Sequence, residues 1–317
     1  MKLYTFDVAG ERRIGAECNG QLIDLATSYA ALTQTRGLKA GAPHALPPDM
    51  LALLRGGESA MQAARDTLSF MSKRPAAPVG SRLSYPFDTV RIAAPLPRPG
   101  KILCSGINYL GHKEENPEAK MPTEPFFFSK LPSAVIGPGE LIIKPPQTRQ
   151  MDYEVEFAVV VGRTMRRARE SEVMSCIAGY TILHDVSARD VQFKDNQITL
   201  GKNFDTFCPL GPCILTTDEL PNPGNVKLRS VLNGKVMQDG STADWVFPLP
   251  HLLSFLSGVM TLEPGDVVST GTPAGVGAFR KPQVFLKGGD VVRLEVEGIG
   301  VLENRVEELS EKGGIEN

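Results

Sequence analysis

The segment 152–161 places two glutamates, Glu154 and Glu156, among apolar residues. Side chains alternate between the two faces of a strand, so both carboxylates should point the same way. Tyr153 and Phe157 should then point to the opposite side, into a core. Two neighbouring carboxylates on a half-buried face repel each other and lose hydration, so a raised pKa, an arginine or a bound cation must compensate.

A third carboxylate, Asp185, ends a second apolar run, 179–184. If the two runs are neighbouring strands, they bring three acidic oxygen donors together, which suits a hard divalent cation such as Mg²⁺. The alternative is a solvated face of an antiparallel sheet, where a Glu-x-Glu pair needs no ion. The spacing is compatible with a metal site and with this alternative, and leaves both open.

His112 and Glu115 form a second candidate pair. If residues 109–115 form a helical turn, Glu115 lies at i+3 from His112 and on the same face. A carboxylate in that place would orient the imidazole and stabilise the protonated form that results when the histidine acts as a general base. The alternative is a surface histidine on a charged loop.

Three further residues are candidates for contact with a substrate. Lys202 is flanked by small and aromatic residues, and Arg189 follows Asp185 by four positions. Either cation suits a substrate carboxylate, and either equally suits a structural ion pair. The glycine-rich segment 271–277 contains Thr272, whose hydroxyl and neighbouring amides could line a small anion site; the alternative is a tight loop.

Composition excludes several classes of protein. The 317 residues include 34 Lys and Arg against 36 Asp and Glu, which gives no electrostatic case for nucleic acid or an anionic membrane surface. Five dispersed cysteines without a Cys-x-x-Cys pair argue against a disulfide framework or a zinc site. No apolar run reaches the length of a membrane helix, and no signal peptide is evident, so a cytoplasmic location is expected.

The chain divides into a smaller N-terminal part and a larger remainder. Short strands are expected over residues 2–8, 13–17 and 21–23, the last two joined by an Asn-Gly hairpin turn at 19–20. Helical segments over 49–72 precede a proline-rich linker at 74–80, which predicts a boundary near residue 85. Helices are expected at 168–178 and 248–257. Two similar turn-and-strand segments, 262–268 and 286–292, together with expected strands at 283–286 and 293–296, predict a rolled sheet near the C-terminus.

Taken in order, these segments resemble the fumarylacetoacetate hydrolase family, and the similarity extends over roughly residues 85–305. The segments that carry the resemblance are Lys101–Tyr109 with His112, Asp152–Phe157, Gly179–Asp190, Gly201–Thr206, Pro209–Pro212 and Thr270–Gly277. Residues 1–85 are similar to the smaller, more variable N-terminal domain of longer bacterial members.

The resemblance implies an α+β, β-rich fold: a mixed β-roll catalytic domain over 86–317 and a smaller α/β domain over 1–85. It implies Mg²⁺, or alternatively Mn²⁺ or Ca²⁺, held by Glu154, Glu156 and Asp185. It also implies a homodimer.

The resemblance further implies roles for the remaining candidates. His112 with Glu115 would activate water, Lys202 would stabilise developing charge, and Arg189, Gln192 and Thr272 would contact substrate. The expected activity is hydrolysis of a C–C bond in a β-dicarbonyl acid such as an acylpyruvate, through an enolate that the cation stabilises, as in aromatic catabolism. The alternatives are an isomerase, tautomerase or decarboxylase of 2-hydroxymuconate- or oxaloacetate-type keto acids, and a metal-binding protein without catalytic activity.

Overall fold

The computed structural model describes residues 1–37, 46–73, 75, 81–111 and 121–309. Over these ranges the fold is α+β and rich in sheet, as the sequence predicted. A 12-stranded sheet forms the centre, and a five-stranded sheet and a two-stranded sheet accompany it. Most strand pairs are antiparallel, but β6 with β17, β8 with β14 and β9 with β19 are parallel, so the sheets are mixed.

The strands in these ranges are, in chain order, β1 (Lys2–Val8), β2 (Glu11–Cys18), β3 (Gln21–Asp24), β4 (Ser84–Tyr85), β5 (Arg91–Ala93), β6 (Ile102–Gly106), β7 (Phe126–Lys130), β8 (Val135–Ile136), β9 (Ile142–Lys144), β10 (Met151–Asp152), β11 (Val155–Val161), β12 (Ile177–His184), β13 (Ser187–Ala188), β14 (Cys208–Thr216), β15 (Lys227–Leu232), β16 (Lys235–Ser241), β17 (Val267–Ser269), β18 (Val291–Val296) and β19 (Gly300–Glu308).

The α-helices in the same ranges are α1 (Leu25–Thr35), α2 (Met50–Arg55), α3 (Gly57–Met71), α4 (Glu170–Val173), α5 (Arg189–Gln192), α6 (Ile198–Lys202) and α7 (Leu249–Val259). The helix expected at 168–178 is shorter than predicted, because a 3-10 turn at Met174–Cys176 follows α4. None of the described helices is both long and apolar enough to cross a lipid bilayer.

The N-terminal strands are continuous with the central sheet. Asn19 and Gly20 both have positive φ, 53° and 73°, as the predicted hairpin turn between β2 and β3 requires. Asp49 caps α2 by accepting a hydrogen bond of 2.8 Å from the Ala52 amide. Strand β1 pairs with β2 on one edge and with β14 on the other, so backbone hydrogen bonds join the N-terminal part to the rest of the chain. The domain boundary near residue 85 stays a prediction.

Strand β11 lies in the middle of the central sheet, between β12 and β17. Its two faces pack into two different cores: Val155, Phe157 and Val159 into one, and Ala158 and Val160 into the other. The first core includes apolar residues of the five-stranded sheet, and the second includes residues of β1, β2, α2 and α3. The expectation that the glutamates occupy a half-buried face is therefore wrong, because both faces of this strand are covered.

Two strand predictions also need correction. The apolar run 152–161 is not continuous: β10 ends at Asp152, and β11 begins at Val155, because β10 pairs with β13 in the separate two-stranded sheet. Residues 283–286 form no strand, since their amides bond individually, Val284 to the Gly277 carbonyl and Leu286 to the Met151 carbonyl.

The two similar turn-and-strand segments are confirmed. In each, an aspartate carboxylate accepts a hydrogen bond from an amide three residues earlier, Asp266 from Glu263 at 2.7 Å and Asp290 from Lys287 at 2.9 Å. The intervening Gly265 has a φ of 89°, in the left-handed region that glycine adopts without strain. Strands β17 and β18 follow directly.

Candidate active site

The three candidate metal ligands meet where β11 begins and β12 ends. The strands are antiparallel, with Val155 opposite His184, and the Asp185 amide donates to the Glu154 carbonyl at 3.1 Å. This register places Glu154, Glu156 and Asp185 side by side, and one carboxylate oxygen from each lies within 4.8 Å of the others. The predicted grouping of three acidic donors is thus present.

Two cations contact this acidic triad. Lys202 lies at the end of α6, and its Nζ donates to Glu154 Oε2 at 2.7 Å and to Asp185 Oδ2 at 2.5 Å. Arg189 begins α5, and its Nη2 donates to Glu154 Oε1. All three acids and both cations are at most 6% exposed, so these charges interact with little screening by water.

The two glutamates have opposite electrostatic environments. Burial alone would raise the pKa of Glu154, but Arg189 and Lys202 outweigh burial and lower this pKa to about 2. Burial raises the pKa of Glu156 well above its usual value, and the nearby charges of Asp185 and Glu154 raise it further. The Glu156 carboxylate accepts a hydrogen bond from the Ser269 hydroxyl. Glu156 is therefore the member of the triad whose negative charge is least compensated.

Arg189 also connects the triad to a more distant turn. Its Nε donates to Asp152 Oδ2 at 2.9 Å, and its Nη1 donates to Gln192 Oε1 at 3.0 Å. Asp152 is fully buried and also accepts from the amides of Gly277 at 2.7 Å and Ala278 at 3.0 Å. The sequence analysis gave Asp152 no role; the available signal was a third carboxylate two positions before the Glu-x-Glu pair.

Lys130 is a buried cation that sequence reasoning missed. Its side chain has no solvent exposure, and its Nζ donates to Asp185 Oδ1 at 2.6 Å, to the Lys202 carbonyl at 2.6 Å and to the Val186 carbonyl at 3.2 Å. These acceptors use all three donors of an ammonium group. The available signal was a lysine two positions after an aromatic run, 126–128, on the same strand face as Phe126 and Phe128.

Thr272 is fixed by main-chain and side-chain contacts. Its hydroxyl donates to the Val155 carbonyl at 2.8 Å and accepts from Gln238 Nε2 at 2.7 Å. Gln238 Oε1 accepts from the Val155 amide at 3.0 Å, so this buried residue of β16 ties the five-stranded sheet to the start of β11. Gln238 was another residue that the sequence did not single out.

A cavity of about 310 Å³ opens beside the triad, in the lower range of ligand-binding pockets. The predicted site residues Glu154, Glu156, Asp185, Arg189, Gln192, Lys202 and Thr272 all line it. The remaining wall is largely apolar and contains four phenylalanines. His112 and Glu115 lie outside the described residues, and the water-activating role predicted for them stays a prediction.

The charges around the cavity fit a divalent cation. Among the described residues, four buried carboxylates, the triad and Asp152, stand against three buried cations, Lys130, Arg189 and Lys202, which leaves a net charge of −1 if all are ionised. A doubly charged ion would change this to +1, and the positive site would attract an acidic ligand. Hard carboxylate oxygens are the donors that Mg²⁺, Ca²⁺ and Mn²⁺ prefer.

A buried acidic triad that opens on a cavity, carried by a mixed sheet, fits the class of site that binds a divalent cation beside a small ligand. Residues 101–307 match the family described as fumarylacetoacetate (FAA) hydrolase C-terminal. The chain therefore belongs to this enzyme family, as the sequence predicted, and the family has hydrolase, isomerase and tautomerase members.

Similar proteins include a mitochondrial oxaloacetate tautomerase from Homo sapiens, which is 44% identical over 264 residues, covering 82% of this chain and 80% of that protein. The solved fumarylacetoacetate hydrolase from Exiguobacterium antarcticum is 34% identical with a TM-score of 0.78, covering 98% of this chain and all of that one. A maleylpyruvate hydrolase from Sphingobium sp. SYK-6, solved with manganese(II) and pyruvate, is 26% identical with a TM-score of 0.74 and the same coverage.

Proposed function

We propose that this chain is a divalent-metal-dependent tautomerase that interconverts the keto and enol forms of oxaloacetate or a closely similar 2-oxo acid. The observation that carries the proposal is the buried triad with Lys202 bonded to two of its members beside the cavity. The similarity to an oxaloacetate tautomerase over most of both chains supports the choice of reaction.

Glu154, Glu156 and Asp185 would hold the cation, for which Mg²⁺ is the first candidate and Mn²⁺ or Ca²⁺ the alternatives. When bound, the cation would supply Lewis-acid polarisation of the substrate carbonyl, which acidifies the neighbouring C–H bond. The three carboxylates converge from two strands of a rigid sheet, so little reorganisation is needed to form the site.

Lys202 would stabilise the negative charge that develops on the enolate oxygen. An ammonium group has three N–H donors, and among the described residues two of them go to Glu154 and Asp185. The third is left for a substrate oxygen in the cavity that Lys202 lines. Because the site is almost dry, this hydrogen bond would stabilise charge more than it would in water.

Arg189, Gln192 and Thr272 would orient the acid in the cavity. Arg189 has five donors, and Asp152, Glu154 and Gln192 accept three of them among the described residues. The remaining guanidinium donors suit a substrate carboxylate. His112 with Glu115 would move the proton between carbon and oxygen, a role that rests on the sequence alone.

Hydrolysis of a C–C bond in an acylpyruvate, the activity expected first from the sequence, is the second candidate. It is favoured by the likeness to a maleylpyruvate hydrolase solved with manganese(II) and pyruvate. Both reactions pass through an enolate of a 2-oxo acid, so the same Lys202 and Arg189 serve either. Decarboxylation of oxaloacetate is a further use of the same intermediate.

One experiment separates the three reactions. Purified protein with Mg²⁺ or Mn²⁺ would be given the enol form of oxaloacetate, and loss of its ultraviolet absorbance would be followed while pyruvate is assayed. A tautomerase accelerates the loss without releasing pyruvate, and a decarboxylase releases it. An acylpyruvate added separately yields pyruvate and a second acid only with a hydrolase. Absence of metal-dependent acceleration with oxaloacetate would refute the proposal.

A homodimer and a cytoplasmic location stay predictions of the sequence. The human relative is named as a mitochondrial protein, which describes that protein. Light scattering of the purified chain would measure its oligomeric state directly.

A further inference from the structure

The cavity has two chemically different ends. One is the charged floor formed by the triad, Arg189 and Lys202. The other is an aromatic wall, which we define as Phe126, Phe128, Phe193 and Phe279. The rings come from three separate elements: β7, the residue after α5, and the 3-10 turn at Gly277–Phe279.

Three rings of the aromatic wall are unusually exposed for large apolar side chains. Phe126 is 43% exposed, Phe193 56% and Phe279 36%. Scattered exposed apolar residues are ordinary, but several rings at the mouth of one charged cavity indicate a surface that contacts a ligand. Such rings offer flat apolar area with few rotatable bonds to immobilise.

Local packing and hydrogen bonds hold the aromatic wall next to the charged floor. A side chain at Gly106 would come within 2.6 Å of the Phe126 ring, so only glycine lets that ring lie across β6. Asp152 accepts hydrogen bonds from the Gly277 and Ala278 amides and from Arg189, so one carboxylate connects the turn that carries Phe279 to the charged floor. Lys202 Nζ lies 5.0 Å from the centroid of the Phe128 ring, which makes floor and wall continuous.

From this arrangement we infer that the site also accepts 2-oxo acids with an aromatic substituent on C3, the arylpyruvates, and interconverts their keto and enol forms. The inference rests on the proposed tautomerase function and names a second substrate class for the same site. The carboxylate and keto oxygen would meet Arg189 and Lys202, and the aryl ring would pack against the aromatic wall.

The reaction conserves every atom of the substrate. The C3–H bond breaks and an O–H bond forms on the C2 oxygen, while the double bond moves from C2–O to C2–C3. No oxidant, reductant or leaving group takes part. An aryl group on C3 is conjugated with the enol, which makes the C3 proton easier to remove.

The test compares phenylpyruvate with oxaloacetate on the same preparation of Mg²⁺-loaded protein. Ketonisation of each enol is followed by ultraviolet absorbance, and the rise in melting temperature with each acid reports binding independently of turnover. We expect both acids to be turned over and both to stabilise the protein. Phe193→Ala should lower the ratio of phenylpyruvate to oxaloacetate kcat/KM about tenfold, chiefly through KM for phenylpyruvate.

Two further variants keep the test decisive. Phe279→Leu keeps an apolar side chain but removes the ring, and should lower the same ratio if stacking on the wall matters. Val259→Ala is the matched control, because Val259 is an apolar residue 72% exposed at the end of α7 and does not line the cavity. It should leave the ratio unchanged.

The outcomes separate the two proposals. Turnover of oxaloacetate alone overturns the inference and leaves the proposed function standing, whereas turnover of neither acid refutes both. Turnover of both with an unchanged ratio in Phe193→Ala and Phe279→Leu also overturns the inference. If these variants changed the oligomeric state in solution without changing the kcat/KM ratio, the rings would be assigned to contact between copies of the chain. That result would likewise overturn the inference.

Discussion

Lys130 illustrates how a residue outside the cavity can support those that line it. It holds Asp185 through the carboxylate and Lys202 through its main-chain carbonyl, so both groups depend on one ammonium. Lys130 does not line the cavity, and we regard it as a positioning residue. Removing one partner of a buried ion pair strongly destabilises a protein, because the other charge stays buried without compensation.

We expect Lys130→Met to lower the free energy of unfolding by about 3 kcal/mol, because the shape is kept while Asp185 loses a buried partner. Catalytic efficiency with oxaloacetate should fall at least tenfold as Asp185 and Lys202 lose their fixed positions. Denaturant titration and steady-state kinetics measure the two effects. Lys235→Met, at an exposed lysine, is the control and should stay within about 0.5 kcal/mol. Full activity in Lys130→Met would contradict a positioning role.

The two glutamates of the pair should respond differently to loss of charge. Burial and the neighbouring carboxylates disfavour the charged form of Glu156, so Glu156→Gln removes little favourable interaction, and without metal we expect the free energy of unfolding to stay level or rise by about 1 kcal/mol. Glu154→Gln leaves Arg189 and Lys202 with one partner fewer and should lower it by about 3 kcal/mol.

Both variants should lose the rise in melting temperature that Mg²⁺ or Mn²⁺ gives the unmodified protein, because each lacks one ligand. Calorimetric scans with and without the cation measure this. An unmodified protein whose melting temperature is insensitive to both cations would show that the triad does not hold a metal.

At the scale of elements, short connecting segments determine where the cavity walls lie. Gly277 begins the turn that carries Phe279, and its amide bonds to Asp152. A Cβ atom there would lie 1.8 Å from the Val284 carbonyl oxygen and 2.6 Å from Asp152 Oδ1. No real side chain tolerates the first distance, so the turn depends on glycine.

Gly277→Ala should therefore lower the free energy of unfolding by about 2 kcal/mol or more, since the backbone must shift to relieve the overlap. The control is Gly258→Ala in α7, where a Cβ meets no atom within 4 Å. It should be neutral or stabilising by up to about 1 kcal/mol, because alanine favours helix. Equal stability of the two variants in denaturant titration would contradict this account of the turn.

The sequence predicted the elements whose signals are local. The Asn-Gly hairpin and the two turn-and-strand repeats depend on residues within a few positions of each other. The break between Asp152 and Val155 was not predicted, because it arises when β10 pairs with a distant strand, β13. The strand predicted at 283–286 is absent for a similar reason, because a sequence pattern does not by itself supply a neighbouring strand for pairing.

At the scale of the whole molecule, the N-terminal part shares a core with the strand that carries the acids. Leu3, Ile14 and Leu53 pack in one cluster with Ala158 and Val160 of β11. The ladder between β1 and β14 adds main-chain hydrogen bonds between the same two parts. Disturbing the N-terminal part should therefore reach the active site through the buried face of β11.

We expect the full chain to unfold in a single transition, because neither part buries its apolar surface without the other. Differential scanning calorimetry measures this as one peak whose calorimetric and van't Hoff enthalpies agree. Two separated peaks would instead show that the parts on either side of residue 85 unfold independently.

The sequence by itself determined the acidic triad, the candidate cations and the family. The alternation of side chains along a strand and the order of the motifs both depend on residues that are close in the sequence. Only the tertiary structure revealed Lys130, Asp152 and Gln238 as supports of the site. Each of them acts on partners from tens to more than a hundred positions away. The physical reason is that a buried charge is tolerated only where packing delivers its partners, and packing is set by the pairing of distant strands.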